Sequence, residues 1–246
     1  MKIMITGAGG SIGSALAKKL APDNDLVLYD NSEYALYKID QELEGKHEAV
    51  LGDVKDELRL SRFMHGVDVV YHCAAYKHVP LLEGHNAEEA WRNNSYGTMI
   101  ALEAARNVDK FILLSTDKAI NPVCQMGKSK LSAEDLTLRD GRTVAQLGNI
   151  LESSGSVIPK FREQIEKGGP VTVTDPEVTR YFIDMDTATD FLIDCSKRNP
   201  GRYMIDMGYP VKILDIAKEM IGDKDIEIVF TGLRPGEKLH EELVAA

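Results

Sequence analysis

Apolar runs of strand length alternate with helical stretches through most of the chain. The runs are KIMIT (2–6), DLVLYD (25–30), EAVLGD (48–53), VDVVYHC (67–73), KFILLS (110–115) and TVAQLGN (143–149). Between them the spacing predicts helices over 11–20, 33–43, 55–64, 86–107 and 126–139. Short apolar strands joined through helices pair in parallel and bury both faces of their sheet. The expected fold class is α/β, a doubly wound parallel sheet.

The pattern changes after residue 150. A helix is expected over 156–167, followed by strand VTVT (171–174), a helix over 186–197 and strand RYMID (202–206). A helix over 211–221 and strand IEIVF (226–230) complete the series. The expected division is a dinucleotide-binding domain over 1–150 and a smaller, mainly substrate-binding subdomain over 151–246. Elements near 181–207 are expected to return to the first sheet.

With 246 residues the chain forms one domain, or one with a small appendage. A net charge of −10 argues against a nucleic-acid partner, so an anionic ligand must be held by a local cluster of donors. Cys73, Cys124 and Cys195 are odd in number, widely spaced and without a C-x-x-C pair. They fit free thiols in a reducing cytoplasm better than a disulfide or zinc framework, and no metal site is expected. No apolar run approaches the ~18 residues of a membrane span, so neither a transmembrane helix nor a signal peptide is expected.

TGAGGSIG (6–13) follows the first strand and opens the first helix. Gly7, Gly10 and Gly13 allow a tight turn, close approach of backbone to a pyrophosphate, and close helix–sheet packing in a Rossmann-type fold. The helix N-terminus, with Ser11 and Ile12 in its first turn, then offers N–H groups and a positive dipole end to the phosphates. Asp30 ends the second strand, where a carboxylate accepts hydrogen bonds from ribose hydroxyls and repels a 2′-phosphate. No Arg or Lys follows until Lys38, which favours NAD over NADP. Asp53, at the end of the third strand, is expected to reach the adenine edge. Ala74 and Ala75 are small enough for a cofactor to lie against the strand ends. Val54, Asn94 and Lys130 complete the expected cofactor set.

TGAGGSIG, LGDV, HCAAYKHV, NNSYGT and STDK together resemble the extended short-chain dehydrogenase/reductase superfamily. AAYKHVPLLE (74–83), STDKAINP (115–122), GSVIPKFREQIEKGGPVTVTDPEVTRYF (155–182) and FTGLRPGEKLHEEL (230–243) narrow the resemblance. They point to the UDP-N-acetylglucosamine 4,6-dehydratases of polysaccharide biosynthesis. The chain departs from that family in three ways. It shows neither the N-terminal membrane region of many members nor their longer C-terminal tail. LGNILESSG (147–155) also replaces a more usual arginine-containing strand.

The resemblance implies NAD as cofactor and a UDP-sugar, UDP-N-acetylglucosamine, as substrate. Oxidation at C4 acidifies the C5 hydrogen; a base removes it, an acid protonates the departing C6 hydroxyl, and the hydride returns to C6. Asp117 is implied as the acid and Lys118 as the base, both neutral when they react. A dry pocket pushes their pKa values in the useful directions, whereas an ion pair does the opposite. The two side chains are therefore expected to diverge. Lys130 is implied to hold the nicotinamide ribose.

Met126 stands where most of the superfamily has a tyrosine, and no tyrosine lies between Tyr96 and Tyr181. One branch of these dehydratases also has Met here. Proton removal from the C4 hydroxyl then has open routes, such as Thr116 holding the hydroxyl while Asp117 or a water takes the proton.

For the UDP end, the resemblance implies Asn149, the Ser-rich turn with Ser156 and Val157, Arg180 and Arg234, with Glu237 on the uridine ribose. Lys77 and His78 follow the fourth strand and are expected at the sugar or its diphosphate. Helices 86–107 and 126–139 are the usual superfamily dimer surface, so a homo-oligomer is implied. Two other functions compete. A 4-epimerase gives Asp117–Lys118 no task and normally uses the missing tyrosine. A noncatalytic dinucleotide-binding regulator leaves the substrate-end motifs unexplained.

Overall fold

The structure, a computed structural model, describes residues 1–153 and 155–243. The first half runs β1 (Lys2–Thr6), α1 (Ser11–Leu20), β2 (Asp25–Asp30), α2 (Glu33–Glu42), β3 (His47–Leu51), α3 (Glu57–Met64) and β4 (Val69–His72). It continues through α4 (Ala87–Ala90), a π-helical turn (Trp91–Tyr96), α5 (Gly97–Ala104), β5 (Lys110–Thr116), α6 (Gln125–Arg139) and β6 (Thr143–Leu147). Side-chain caps define several helix starts: Ser32, Asp56 and Asp184 accept from the backbone N–H groups of Ala35, Arg59 and Thr187.

The second half contributes β7 (Asn149–Ile150), α7 (Val157–Glu166), β8 (Val171–Val173), β9 (Thr179–Arg180), β10 (Phe182–Ile183) and α8 (Met185–Lys197). It ends with β11 (Arg202–Met204), β12 (Val211–Lys212), α9 (Ile213–Ile221) and β13 (Ile228–Phe230). Among the described residues the main sheet has seven parallel strands in the order β11-β6-β5-β4-β1-β2-β3. It is a Rossmann-type, doubly wound sheet. The chain reverses its direction of winding between β1 and β4, which opens a crevice beyond the carboxyl ends of those strands.

Both faces of the sheet are covered. Leu60, Met64, Ile100, Ala101 and Ala133, from α3, α5 and α6, bury one face. Leu16, Ala17, Leu36, Ile39 and Leu192, from α1, α2 and α8, bury the other. A separate core of Phe161, Ile165, Val171, Val173, Val178, Ile213 and Ala217 ties α7, β8 and α9 together. Three short pairings belong to this second half: β7 with β10, β9 with β12, and β8 with β13.

Three of the differences from the expected elements have a local cause. The strand foreseen over 143–149 breaks at Gly148, where Met207 leaves no room for a side chain, and Asn149 starts a new pairing with Phe182. The helix foreseen over 86–107 contains the π turn, whose buried Asn93 and Asn94 carry polar groups that an apolar stripe cannot show. The helix foreseen from 211 starts at Ile213 because Val211 and Lys212 pair with β9. No described helix is long and apolar enough to cross a membrane.

Candidate active site

A cavity of about 1050 Å³ lies between the carboxyl ends of β1, β4 and β5 and the elements after residue 147. The glycine turn closes one end. Gly7 has φ +68°, and a Cβ there would lie 2.7 Å from the Ala74 nitrogen. Only glycine accepts both conditions. Gly9 was not singled out from the sequence, yet a Cβ on it would lie 2.6 Å from Ala35 Cβ, so α2 packs directly on this turn. Gly10 precedes α1 without a side-chain cap, and no acidic residue occupies the first turn of that helix. The positive end of α1 thus opens onto the cavity beside Gly7, Ser11, Ile12 and Gly13. This glycine-walled cradle fits the pyrophosphate of a dinucleotide.

Not every residue expected at the cofactor reaches the wall. The Asp30 carboxylate accepts from the N–H of Gly9 at 2.8 Å and of Ser32 at 2.9 Å, stapling the glycine turn to the end of β2. Asp53 pairs with Lys55, Nζ to Oδ2 2.9 Å, and its carboxyl stays below the usual range because the Lys55 contacts outweigh burial. Val54 is buried in the core beneath α5. Asn94 accepts from Tyr76 N–H at 2.8 Å and donates to the Tyr76 carbonyl at 3.0 Å, fixing the chain after β4. Ala75 lines the cavity, while Ala74 packs against the core.

Lys130, only 4% exposed, donates from Nζ to the Leu114 carbonyl at 2.7 Å. Burial pulls its ammonium pKa down to about 8, although Glu134 one helical turn on opposes this. Glu134 is itself sealed in. It accepts from Ser115 at 2.5 Å and Gln146 at 2.9 Å, and pairs with Arg202 at 3.0 Å. Burial raises its carboxyl pKa above the ordinary range. Met126 is 3% exposed, packs with Leu82, Ala90 and Cys124, and still lines the cavity four residues before Lys130.

Thr116 is the last residue of β5, and Asp117 and Lys118 follow it on a short 3-10 turn. The expectation that Asp117 and Lys118 diverge is corrected by the geometry. Lys118 Nζ lies 3.0 Å from Asp117 Oδ1 and 3.1 Å from Asn149 Oδ1. Thr116 Oγ1 donates to the same Asp117 oxygen at 2.8 Å, and Asp117 Oδ2 is buried without a partner among the described residues. The pairing arises because Asn149, on β7, and Glu241, from the C-terminal stretch, draw the ammonium over its neighbour. Burial lowers the Lys118 pKa, but Asp117 and Glu241 outweigh it and hold the group above the ordinary lysine value.

At the far end, Arg180 Nη2 lies 3.0 Å from Glu237 Oε1, and Glu237 Oε2 accepts from the backbone and side chain of Arg234. Arg180 and Glu237 are largely buried, whereas Arg234 is exposed at the cavity edge. Ser156 and Val157 bring the start of α7 to the wall, and Ser156 Oγ is buried with no partner among the described residues. Lys77 and His78 also line the cavity, with burial lowering both pKa values. Ser154, in the Ser-rich turn, lies outside the described residues. Glu241 was missed in the sequence although it sits in the quoted FTGLRPGEKLHEEL segment. Its signal was only the Glu241–Glu242 pair four residues after Glu237 in RPGE.

The sequence profile of the polysaccharide biosynthesis protein family matches residues 3–246. The chain belongs to that family. It is 42% identical over 267 residues to the probable polysaccharide biosynthesis protein EpsC of Bacillus subtilis, covering 98% of this chain and 44% of that protein. The chain thus spans less than half the length of this relative. Two other family relatives differ in their reactions. UDP-N-acetylglucosamine 4,6-dehydratase (inverting) of Campylobacter jejuni is 33% identical over 99% of this chain and 77% of its own. UDP-glucose 4-epimerase of Rickettsia massiliae is also 33% identical, with the same coverages. Among solved structures, Pen from Bacillus thuringiensis superposes with TM-score 0.94 at 30% identity, covering 98% of this chain and 82% of Pen. UDP-glucuronic acid 4-epimerase from Bacillus cereus, in complex with UDP-glucuronic acid and NAD, gives TM-score 0.87 at 25% identity, covering 98% and 89%.

Proposed function

We propose that this chain carries the catalytic unit of an NAD-dependent UDP-N-acetylglucosamine 4,6-dehydratase serving polysaccharide biosynthesis. The observation that carries the reading is the Asp117–Lys118 pair at the carboxyl end of β5, beside a cavity with Met126 in the place of a tyrosine. A dehydratase needs an acid and a base there. Support for NAD comes from the glycine cradle at Gly7–Gly13 and from the NAD-bound epimerase of similar fold.

The cradle and the N-terminus of α1 hold the pyrophosphate, Asp30 favours an unphosphorylated ribose, and Lys130 holds the nicotinamide ribose. NAD, when bound, supplies reversible hydride transfer. Asp117 donates a proton to the sugar C6 oxygen, and Lys118 removes the proton at C5 once its amine is neutral. Arg180, Arg234 and the start of α7 with Ser156 take the UDP diphosphate, to which a guanidinium presents two parallel donors. Glu237 accepts from the uridine ribose. Three cysteines, none in a disulfide among the described residues, suit a reducing compartment.

A 4-epimerase is the second reading, favoured by the Rickettsia relative at equal identity. It leaves the acid–base pair idle. Incubation with NAD and UDP-N-acetylglucosamine, followed by mass spectrometry of the product, separates the two. Loss of water is expected. An isomer of unchanged mass overturns the dehydratase reading in favour of the epimerase, and no turnover on that substrate counts against both.

A further inference from the structure

Glu241 has no role in the assignments above, yet it is a deeply buried carboxylate on the cavity wall. Its side chain is 3% exposed, with Oε1 3.4 Å from Lys118 Nζ and 3.7 Å from Arg180 Nε. Oε2 is sealed from water and has no hydrogen-bond partner among the described residues. A buried carboxylate with one bare oxygen is a costly feature to keep for packing alone.

The groups around Lys118 come from every side of the site. Asp117 faces it from its own turn at 3.0 Å, and Asn149 offers a neutral oxygen from β7 at 3.1 Å. Arg180 on β9 adds a second cation, drawn the other way by Glu237 at 3.0 Å. Cys124, at the start of α6, is close enough to feel both Lys118 and Glu241. Two carboxylates therefore share one lysine ammonium, and the second of them is tied to the substrate-end arginine.

We propose that Glu241 is a positioning residue for the reaction: its charge holds Lys118 as an ammonium between Asp117 and Asn149 and so sets the pH at which that lysine becomes a base. This rests on the dehydratase reading for its catalytic consequence, but not for its physical content. An opposite charge at this range favours the charged amine, and its removal favours the neutral one.

The direct test is a titration of Lys118 in the full chain without substrate. The Nζ resonance is followed in ¹⁵N-lysine-labelled protein and assigned by its loss in Lys118→Met. In Glu241→Gln the midpoint is expected to move down by about 1–3 pH units, as removal of a charge at this range dictates. In turnover, the acid limb of the kcat–pH profile is expected to move the same way.

A folded Glu241→Gln with an unmoved Nζ midpoint overturns the proposal. If that variant does not fold, Glu241→Asp retains the charge but draws it back by one methylene. A smaller downward move then supports the proposal, and an unmoved midpoint overturns it. Because the titration needs no sugar, failure of the dehydration assay leaves this test standing. An unmoved midpoint, conversely, leaves the dehydratase reading intact.

Discussion

Lys118 donates to Asp117, its immediate neighbour in the chain, across 3.0 Å in a pocket largely closed to water. Asn149 and Glu241 contact the same ammonium, at 3.1 Å and 3.4 Å. Under the proposed dehydratase reading, these two side chains are the acid and the base. Lys118→Met and Asp117→Asn should therefore bind NAD and UDP normally by calorimetry while product formation falls about 10²–10⁴-fold. Full turnover in either variant removes that residue from the chemistry.

Met126 packs in a small apolar cluster and has no proton to give. Met126→Ala should lose about 2–5 kcal/mol of stability in urea, the usual cost of a buried Met-to-Ala truncation. It should nevertheless keep measurable turnover wherever it remains folded. A folded, NAD-binding Met126→Ala as inactive as Lys118→Met would show that the thioether is needed for catalysis.

Asp30 ties the glycine turn to β2 through Gly9. Asp30→Ala should weaken NAD binding by roughly 10–150-fold, the equivalent of about 1.5–3 kcal/mol for a hydrogen bond to a charged group. The preference over NADP should shrink at the same time, because a 2′-phosphate no longer meets a carboxylate. Titration of both dinucleotides decides it; an unchanged ratio leaves Asp30 with a structural task alone.

Arg234 is exposed at the cavity edge, and its side chain pairs with Glu237. Arg234→Ala should weaken UDP binding by about 10–150-fold with little effect on NAD. Unchanged UDP affinity places this guanidinium outside the diphosphate site.

Arg202→Ala tests the buried Glu134. Breaking a buried ion pair costs about 3–5 kcal/mol, but Arg202 is 42% exposed and water screens it, so about 1–2 kcal/mol is expected. Burial has already raised the Glu134 pKa, so its folding contribution is fully present below the ordinary carboxylate range and lost as pH rises through the raised value. Loss of Arg202 extends that loss. Urea titrations should show a deficit that is large at pH 8 and shrinks toward pH 4; a deficit independent of pH excludes Glu134 as its origin.

The Rossmann-type sheet was legible because strands such as KIMIT and KFILLS are apolar on both faces, and local pattern alone marks them. The glycine turn was legible for the same reason: Gly7 answers to a local φ and a close backbone neighbour. The pairing of Asp117 with Lys118 was not legible. It depends on Asn149 and Glu241, which reach the site through the short β7–β10 pairing and the irregular backbone after Arg234. Neither of those elements has a periodicity to read. Gly9 went unmarked because its need for a bare Cα comes from Ala35, on the next helix. The buried role of Asn94 came from a π turn that no helical stripe announces.

Strand β11 adds itself to the sheet edge beside β6, and its first residue supplies the cation facing Glu134 on the helix that carries Lys130. The dinucleotide cradle is therefore not a detachable module. A piece ending before β11 would keep every glycine of the turn and six strands of the sheet, yet would leave the buried Glu134 without its cation in the wall behind α6. Recombination of this cradle with a foreign substrate half would have to carry Arg202 across the join, or replace Glu134 with it.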